Sequence, residues 1–340
     1  MQRIPERTCF RANAIRSDDV RGERGGSKGN RGPCLRPTAA DRPRLMPVTA
    51  LRTGDITAVD YRCGAGPADT PYTEVHERFS LSYVRRGSFG CRTRGRHFEL
   101  VAGAFLIGFP GDEFMCMHDH HAGDECLSFQ FSPHLVEMID ADTTVWRGGA
   151  APPLAELMIL GELAQRTAEG GTDLGLDEVG MLLAARFGVV LGRVEHGQLD
   201  ATVRERRRSA CAAEWIDAHS HESIDLQRTA RQSGLSAFHF LRMFTKVVGV
   251  TPHQHLIRCR LRRAARRLLE SEDPVIDVAL DTGFNDLSNF TRTFHRAAGV
   301  SPRRFRLLAR GKRNFLQAEI SPLALPFLKT WKRRATFAIG

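Results

Sequence analysis

The chain lacks a long apolar run. Its longest candidates, around residues 105–109 and 181–191, are short or are interrupted by Arg186, whereas a membrane-spanning helix needs about 20 consecutive apolar residues. The arginine-rich first residues also lack the apolar core of a signal peptide. We therefore expect a cytoplasmic protein that has no membrane partner.

Paired cysteines and a complete catalytic set are also missing. The eight cysteines stand at irregular spacings without a CxxC pair, a usage that fits reduced thiols better than a disulfide framework. One His- and Cys-containing cluster stands alone, without a full set of metal ligands or an evident catalytic acid or base. We therefore expect that the protein is not an enzyme.

Charge is distributed unevenly along the 340 residues. Residues 1–45 carry a net charge of +6, residues 46–200 carry −10, residues 201–310 carry +9 and residues 311–340 carry +5. A basic domain beside an acidic one suits a protein in which one part binds a polyanion and the other binds something else. The sign change near residue 200 therefore predicts a domain boundary.

The two ends of the chain differ from the rest in composition. Residues 1–45 are rich in Arg, Gly, Ser and Pro and cannot bury enough apolar surface to fold alone. They are predicted to be a disordered basic extension, with the natural start at Met46. Residues 311–340 form a basic tail without a recognisable repeat.

Two stretches of the basic segment repeat each other. Fifty residues separate Phe240, Arg242, Phe244, Gly249, Val250, Thr251 and Pro252 from Phe290, Arg292, Phe294, Gly299, Val300, Ser301 and Pro302. Upstream, Ala230 and Gly234 are matched by Ala279 and Gly283. Each copy predicts a helix, a glycine turn and a second helix, which is the layout of a helix-turn-helix unit.

Helical periodicity separates an inner and an outer face on each second helix. Phe240, Met243 and Phe244 of the first copy form a core stripe, as do Phe290 and Phe294 of the second. The outer faces then carry Phe238, Leu241 and Arg242 in the first copy and Leu287, Ser288, Thr291 and Arg292 in the second. This mixture can donate hydrogen bonds to base edges and contact thymine methyl groups.

A long helix is predicted to join the two copies. Thr251 and Pro252 are the N-cap and first residue that start a helix, and Ser301 and Pro302 repeat the pair. The faces of the joining helix that lie away from its apolar residues carry Arg258, Arg260, Arg262, Arg263, Arg266 and Arg267. We expect a cationic connector of roughly 25 to 30 Å, which would let both second helices dock on one side of a duplex.

The segment from about Cys211 to Leu308 resembles the DNA-binding domain of AraC/XylS-type transcriptional regulators. The resemblance rests on GLS at 234–236, the FLRMF run, the GVTP exit, the VALDTGFND segment and the FTRTFHRAAGVSP run. It implies that Phe238, Leu241, Arg242, Leu287, Ser288, Thr291 and Arg292 face DNA bases, and Lys246 and Arg296 complete the predicted DNA contacts. Leu241 stands where many relatives carry a polar residue.

The acidic segment has the pattern of short strands between residues 79 and 133, with a turn expected at residues 85–88. This pattern predicts a small antiparallel barrel with a ligand pocket. It also resembles, more loosely, the cupin-like sensor domains of the same family. Two amphipathic helices follow, and the second carries Leu176, Val179, Leu183, Phe187 and Val190 at helical spacing. These side chains form either core or dimer contacts.

The run CMHDHHAGDEC contains a candidate metal site. On a continuing strand Cys116, His118 and His120 share one face, which is how ligands of a transition metal converge. The alternative is a polar loop at the barrel rim with ordinary surface histidines. No other cofactor is predicted.

Together these features predict an α+β multidomain protein with two main parts. An antiparallel cupin-like barrel (46–150) and a helical segment (151–200) precede an all-α domain (201–310) with two helix-turn-helix units joined by a long helix. We expect a sequence-specific regulator that binds double-stranded promoter DNA on the nucleoid under control of a small molecule. RNA polymerase and a second copy are further expected partners, and the resemblance favours activation. A metal or redox sensor, a metalloenzyme with a DNA-binding tail and a non-specific architectural DNA binder remain alternatives.

Overall fold

The computed structural model describes residues 47–119, 123–139, 143–191 and 201–310. The predicted basic extension and the predicted basic tail lie outside the described residues, as does the proposed start at Met46. Among the described helices, none has the length and hydropathy that crossing a bilayer requires.

A sheet region forms the first part of the described chain. Its strands are β1 (Val48–Arg52), β2 (Ile56–Cys63), β3 (Thr73–Val75), β4 (Phe79–Thr93), β5 (Arg96–Val101), β6 (Phe105–Gly108), β7 (Glu113–Met117), β8 (Asp124–Phe131) and β9 (Ala150–Ala151). A short helix α1 (Pro133–Ile139) and a 3₁₀ helix (Thr143–Gly148) connect β8 to β9. All strand pairs are antiparallel.

The strands form an open arrangement in which β4 is central. The order is β1-β2-β8-β4-β6-β9, while β5 and β7 also pair with β4, and β3 pairs with β7. The predicted closed barrel is not formed by the described strands, because β1 and β9 end the path without pairing to each other. β1 is exposed along its whole length, and β9 is buried but has only two residues.

One predicted turn is wrong. The sequence indicated two strands separated by a turn at residues 85–88, but β4 runs unbroken for 15 residues. A β-bulge at Arg85 shifts the register against β8, and Gly87 takes a positive φ of 78°. Bulges bend a strand without ending it, which lets β4 take part in both halves of the sheet.

Two helices cover the sheet, α2 (Ala155–Ala168) and α3 (Leu176–Leu191). Val179, Leu183 and Phe187 of α3 are fully buried, so these three side chains are core within one chain. The helix lies so close to the sheet that a Cβ at Gly180 would stand 2.9 Å from side-chain atoms of both Ile56 and Phe129.

The remaining described residues form a helical region. Its helices are α4 (Val203–Ala218), α5 (Leu226–Gln232), α6 (Ala237–Val248), α7 (Pro252–Glu270), α8 (Val275–Asp281), α9 (Leu287–Ala298) and α10 (Pro302–Ala309). Thr251 caps α7 and Ser301 caps α10, each followed by proline at the first helical position as predicted. α7 is the predicted long connector between the two copies.

The sheet and helical regions share a core. Phe290 and Phe294 of α9 belong to the same buried cluster as Trp146 and Phe187. The first copy packs separately, with Phe240 and Phe244 of α6 buried against α4 and the first half of α7. The domain boundary predicted near residue 200 falls between α3 and α4 and stays a prediction, while the described residues on its two sides share buried side chains.

Candidate nucleic-acid interface

The first copy forms a helix, a tight turn and a second helix. The Asp225 carboxylate accepts a hydrogen bond from the Arg228 amide at 2.6 Å and so caps α5. Ser236 caps α6 by accepting from the His239 amide at 3.4 Å. Each cap satisfies an amide that has no partner within its helix, so both helix starts are fixed on either side of Gly234.

The outer face of α6 presents an aromatic and cationic pair. The Phe238 side chain is 70% exposed, which is unusual for phenylalanine. The Arg242 guanidinium lies 5.6 Å from the centroid of its ring, within the range of a cation–π contact. Leu241 is only half exposed. Phe238 and Arg242 are therefore the predicted contacts that this helix presents most fully.

Lys246 is on the same helix but has an internal partner. Its ammonium lies 3.2 Å from a carboxylate oxygen of Glu205, and Glu205 also closes the capping box at the start of α4. A DNA phosphate would have to compete with this carboxylate. We expect Lys246 to contribute less to DNA affinity than Arg242.

The second copy repeats the arrangement. Asp286 caps α9 by accepting from the Asn289 amide at 2.7 Å. α6 and α9 each have 12 residues and end at a glycine in the left-handed conformation. The outer face of α9 exposes Leu287, Ser288, Arg292 and Arg296, and Thr291 is half buried. An arginine can pair with guanine through two hydrogen bonds, and a leucine can contact a thymine methyl group.

The expectation that the α7 arginines form an outward cationic face is wrong for Arg258, Arg260 and Arg262, whereas Arg263 and Arg266 are exposed as expected. Arg262 is only 4% exposed. Arg258 donates to the carbonyl of Pro153 at 2.7 Å, and Arg260 donates to the carbonyl of Ser220 at 2.8 Å. α7 therefore uses the guanidiniums of Arg258 and Arg260 for hydrogen bonds to backbone carbonyls within the protein.

A buried network joins α7 to the sheet region through Glu162 of α2. The Glu162 carboxylate accepts hydrogen bonds from the Tyr83 hydroxyl at 2.7 Å, from Arg262 Nε at 2.8 Å and from Arg266 Nε at 3.0 Å. Arg262 also donates to the backbone carbonyl of Arg85. One carboxylate thus holds one strand and two helices together.

Electrostatics of the network favour the charged carboxylate. Burial disfavours its ionisation, but the two arginines outweigh burial and hold the pKa of Glu162 below its ordinary value. Burial also opposes the charge on Arg262, yet its anionic neighbours raise its pKa well above the ordinary value. Sequence reasoning missed this site, although Glu162 stands as a lone acid on the apolar face of α2.

Two of the three predicted metal ligands, Cys116 and His118, lie among the described residues. Cys116 is directly opposite Cys91 across β4 and β7, whereas the His118 imidazole lies with Cys63 and Asp124. His120 is outside the described residues. The predicted set of Cys116, His118 and His120 therefore stays a prediction, and the described residues add Cys63 and Asp124 around His118.

Comparisons with known proteins agree with the helical pattern. A family model described as a helix-turn-helix domain matches residues 229–307. The regulatory protein SoxS of Salmonella typhimurium is 33% identical over 93 residues, which cover 27% of this chain and 87% of SoxS. The HTH-type transcriptional regulator YbfP of Bacillus subtilis is 37% identical over 92 residues, or 27% of this chain and 31% of YbfP.

The match is confined to part of several relatives and of this chain. The chain spans less than half the length of some of the relatives that it matches, YbfP among them. Among solved structures, the DNA-binding domain of AdpA in complex with a target DNA is 32% identical, and the match covers 32% of this chain and 96% of that domain with a TM-score of 0.30.

Proposed function

Because the chain belongs to the AraC/XylS family of transcriptional regulators, we propose that it binds specific promoter sequences through α6 and α9. The observation that carries this proposal is the duplicated exposed face. Phe238 and Arg242 on α6, and Leu287 and Arg292 on α9, project from two capped helices of equal length. α6 and α9 would each occupy one segment of the major groove.

The direct base contacts are assigned to few residues. Arg242 and Arg292 would each pair with a guanine, while Phe238 and Leu287 would contact thymine methyl groups. Ser288, Thr291 and Arg296 would contact base edges or phosphates around them. Lys246 and Leu241 would have smaller roles, since one is ion-paired and the other is half buried.

We propose that the sheet region senses a small molecule in the manner of a cupin-like sensor domain and passes the signal to the helical region. The Glu162 network supports this, because it ties β4 and α2 to α7, the helix between the two DNA-contacting helices. A ligand that favours one arrangement of these contacts would shift the protein towards the binding-competent state. The protein would act on the nucleoid as an activator that contacts RNA polymerase, either alone or as a homodimer.

The alternative of a non-specific architectural binder differs in one measurable respect. A sequence-specific regulator prefers its site over bulk DNA by roughly 10³-fold or more, whereas an architectural binder shows affinity set by salt alone. Competition binding on promoter fragments from the protein's own genome, at fixed salt, separates the two.

Arg292→Ala tests the assignment of the second copy. We expect the variant to lose about 1 to 3 kcal/mol of discrimination at one base pair. Arg86→Ala is the matched control, since its side chain is 80% exposed on the sheet region and it removes the same charge. Equal specificity loss in both variants, or none in Arg292→Ala, would refute the proposed contact.

A further inference from the structure

A cluster of potential metal ligands lies at the ends of three strands, β2, β7 and β8. We propose that the Cys63 thiolate, the His118 imidazole and the Asp124 carboxylate bind a divalent ion of the zinc class, and that this ion is a signal for the DNA-binding region. The regulatory half of this inference rests on the proposed function. The metal site itself does not.

The fold brings the three side chains together from distant positions. Cys63 ends β2 and lies opposite Asp124, the first residue of β8, while His118 directly follows β7. The ligand atoms all lie within 4.8 Å of one another, and His118 Nε2 is 2.7 Å from Asp124 Oδ1. Bond lengths of about 2.0 to 2.3 Å place tetrahedral ligands roughly 3.3 to 3.8 Å apart. The ion would therefore replace the hydrogen bond between His118 and Asp124, and the half-exposed Cys63 side chain would rotate towards it.

Donor chemistry selects the class of metal. Thiolate, imidazole and carboxylate together suit zinc and its neighbours among the first-row metals, whereas magnesium and calcium take oxygen ligands. Three protein ligands leave a fourth position for water or an exchangeable group. Such a site suits reversible occupation better than a closed structural site.

The neighbourhood supports the ligands. Asp124 Oδ2 accepts a hydrogen bond from the Cys126 thiol at 3.3 Å, which fixes the carboxylate, and the Gly123 amide donates to the carbonyl of Ala65 at 2.9 Å. His118 and Asp124 are 9% and 8% exposed, so two of the three ligands are held inside the fold. Partners of this kind orient metal ligands.

The site is connected to α7 through Arg85. Glu125 follows Asp124, and its carboxylate lies 3.3 Å from Arg85 Nε. The Arg85 guanidinium also donates to Gln165 of α2 at 2.8 Å, and the Arg85 backbone carbonyl, displaced from the strand register by the bulge, accepts from Arg262. A movement of residues 124 and 125 on metal binding would therefore displace Arg85, which contacts both α2 and α7.

The test uses the full-length chain without a histidine tag and Co²⁺ as a spectroscopic probe, with Zn²⁺ as competitor. We expect a thiolate-to-cobalt charge-transfer band in the wild type, its loss in Cys63→Ser, and at least about 10-fold weaker binding in Asp124→Asn. Cys116→Ser is the matched control and should bind like the wild type. Absence of the band in the wild type, its survival in Cys63→Ser, or its loss in Cys116→Ser would overturn the site.

The regulatory half is tested on promoter DNA. Zn²⁺ should change the DNA affinity of the wild type by about 5-fold or more and should not change that of Cys63→Ser. Metal binding without any change in DNA affinity would overturn the signalling role while leaving the site. If neither the metal-free nor the metal-loaded protein prefers any sequence, the proposed function fails instead.

Discussion

Replacing Glu162 with alanine is expected to lower the free energy of unfolding by about 3 to 5 kcal/mol. That is the range for removing one partner of a buried ion pair, because the remaining charge loses its partner without regaining water. Here the substitution removes the acceptor of Tyr83, Arg262 and Arg266 at once. Arg262, whose side chain is 5% exposed, then retains only Asp217 at 3.3 Å as a charged partner among the described residues.

Urea unfolding followed by far-UV circular dichroism and by tryptophan fluorescence measures the loss. Glu169→Ala is the matched control, since Glu169 is the C-cap residue that follows α2, its side chain is 47% exposed, and it pairs with Arg166 at 3.6 Å. Exposed pairs of this kind contribute about 0 to 1 kcal/mol. The control should therefore unfold within about 1 kcal/mol of the wild type.

A double substitution separates loss of charge pairing from loss of packing. Glu162→Leu combined with Arg262→Met removes both buried charges and should recover most of the stability that Glu162→Ala loses, because similar apolar replacements of buried ion pairs are often neutral or stabilising. The Arg266 guanidinium can be hydrated by solvent in this variant, since its side chain is 47% exposed. The reasoning is refuted if Glu162→Ala is no less stable than Glu169→Ala.

Three further outcomes follow from the described contacts. In thermal unfolding, Gly283→Ala should lower the melting temperature more than Gly234→Ala. Gly283 has a φ of 94° and an added Cβ would lie 2.8 Å from the carbonyl oxygen of Ser220, whereas a Cβ at Gly234 would meet open space. Equal decreases in melting temperature would contradict this. Phe238→Ala should leave the melting temperature unchanged but weaken promoter binding in fluorescence anisotropy, since the ring is 70% exposed; a lower melting temperature would mean that the ring is part of the core. Burial lowers the pKa of His255 from 6.5 to about 4, so the unfolded chain binds more protons than the folded protein between these pH values. Stability should therefore fall by about 3 kcal/mol as pH falls through that window. His255→Gln should flatten the dependence of the urea midpoint on pH, and an unchanged slope would contradict the burial of a neutral imidazole.

Local sequence signals were sufficient to predict where the helices of the helical region begin and which faces they expose. The Thr-Pro and Ser-Pro pairs start α7 and α10 where they were predicted. Asp225, Ser236 and Asp286 cap α5, α6 and α9 on either side of the predicted turns. Capping and 3.6-residue periodicity depend on neighbours within a few positions. The outer faces of α6 and α9 follow from the same periodicity, so their exposed residues were predicted well, except that Leu241 and Thr291 are half buried.

Long-range contacts were not predicted. The Glu162 network joins residues about 100 positions apart, and no local pattern distinguishes Arg262 from the exposed Arg263 beside it. The cluster around His118 likewise depends on the pairing of β2 with β8, which brings Cys63 opposite Asp124. The sequence did not predict that β4 is one unbroken strand, because Arg85 and Gly87 are residues typical of a turn but here lie at a β-bulge.

Selection of binding sites from a random DNA pool, with the wild type, Arg242→Ala and Arg292→Ala compared side by side, tests the central claim most directly. Docking of α6 and α9 in successive major-groove segments predicts two short sequence elements about one helical turn apart. Each variant should lose base preference in a different element. Enrichment of no sequence by the wild type, or unchanged preferences in both variants, would contradict base contact by these two helices.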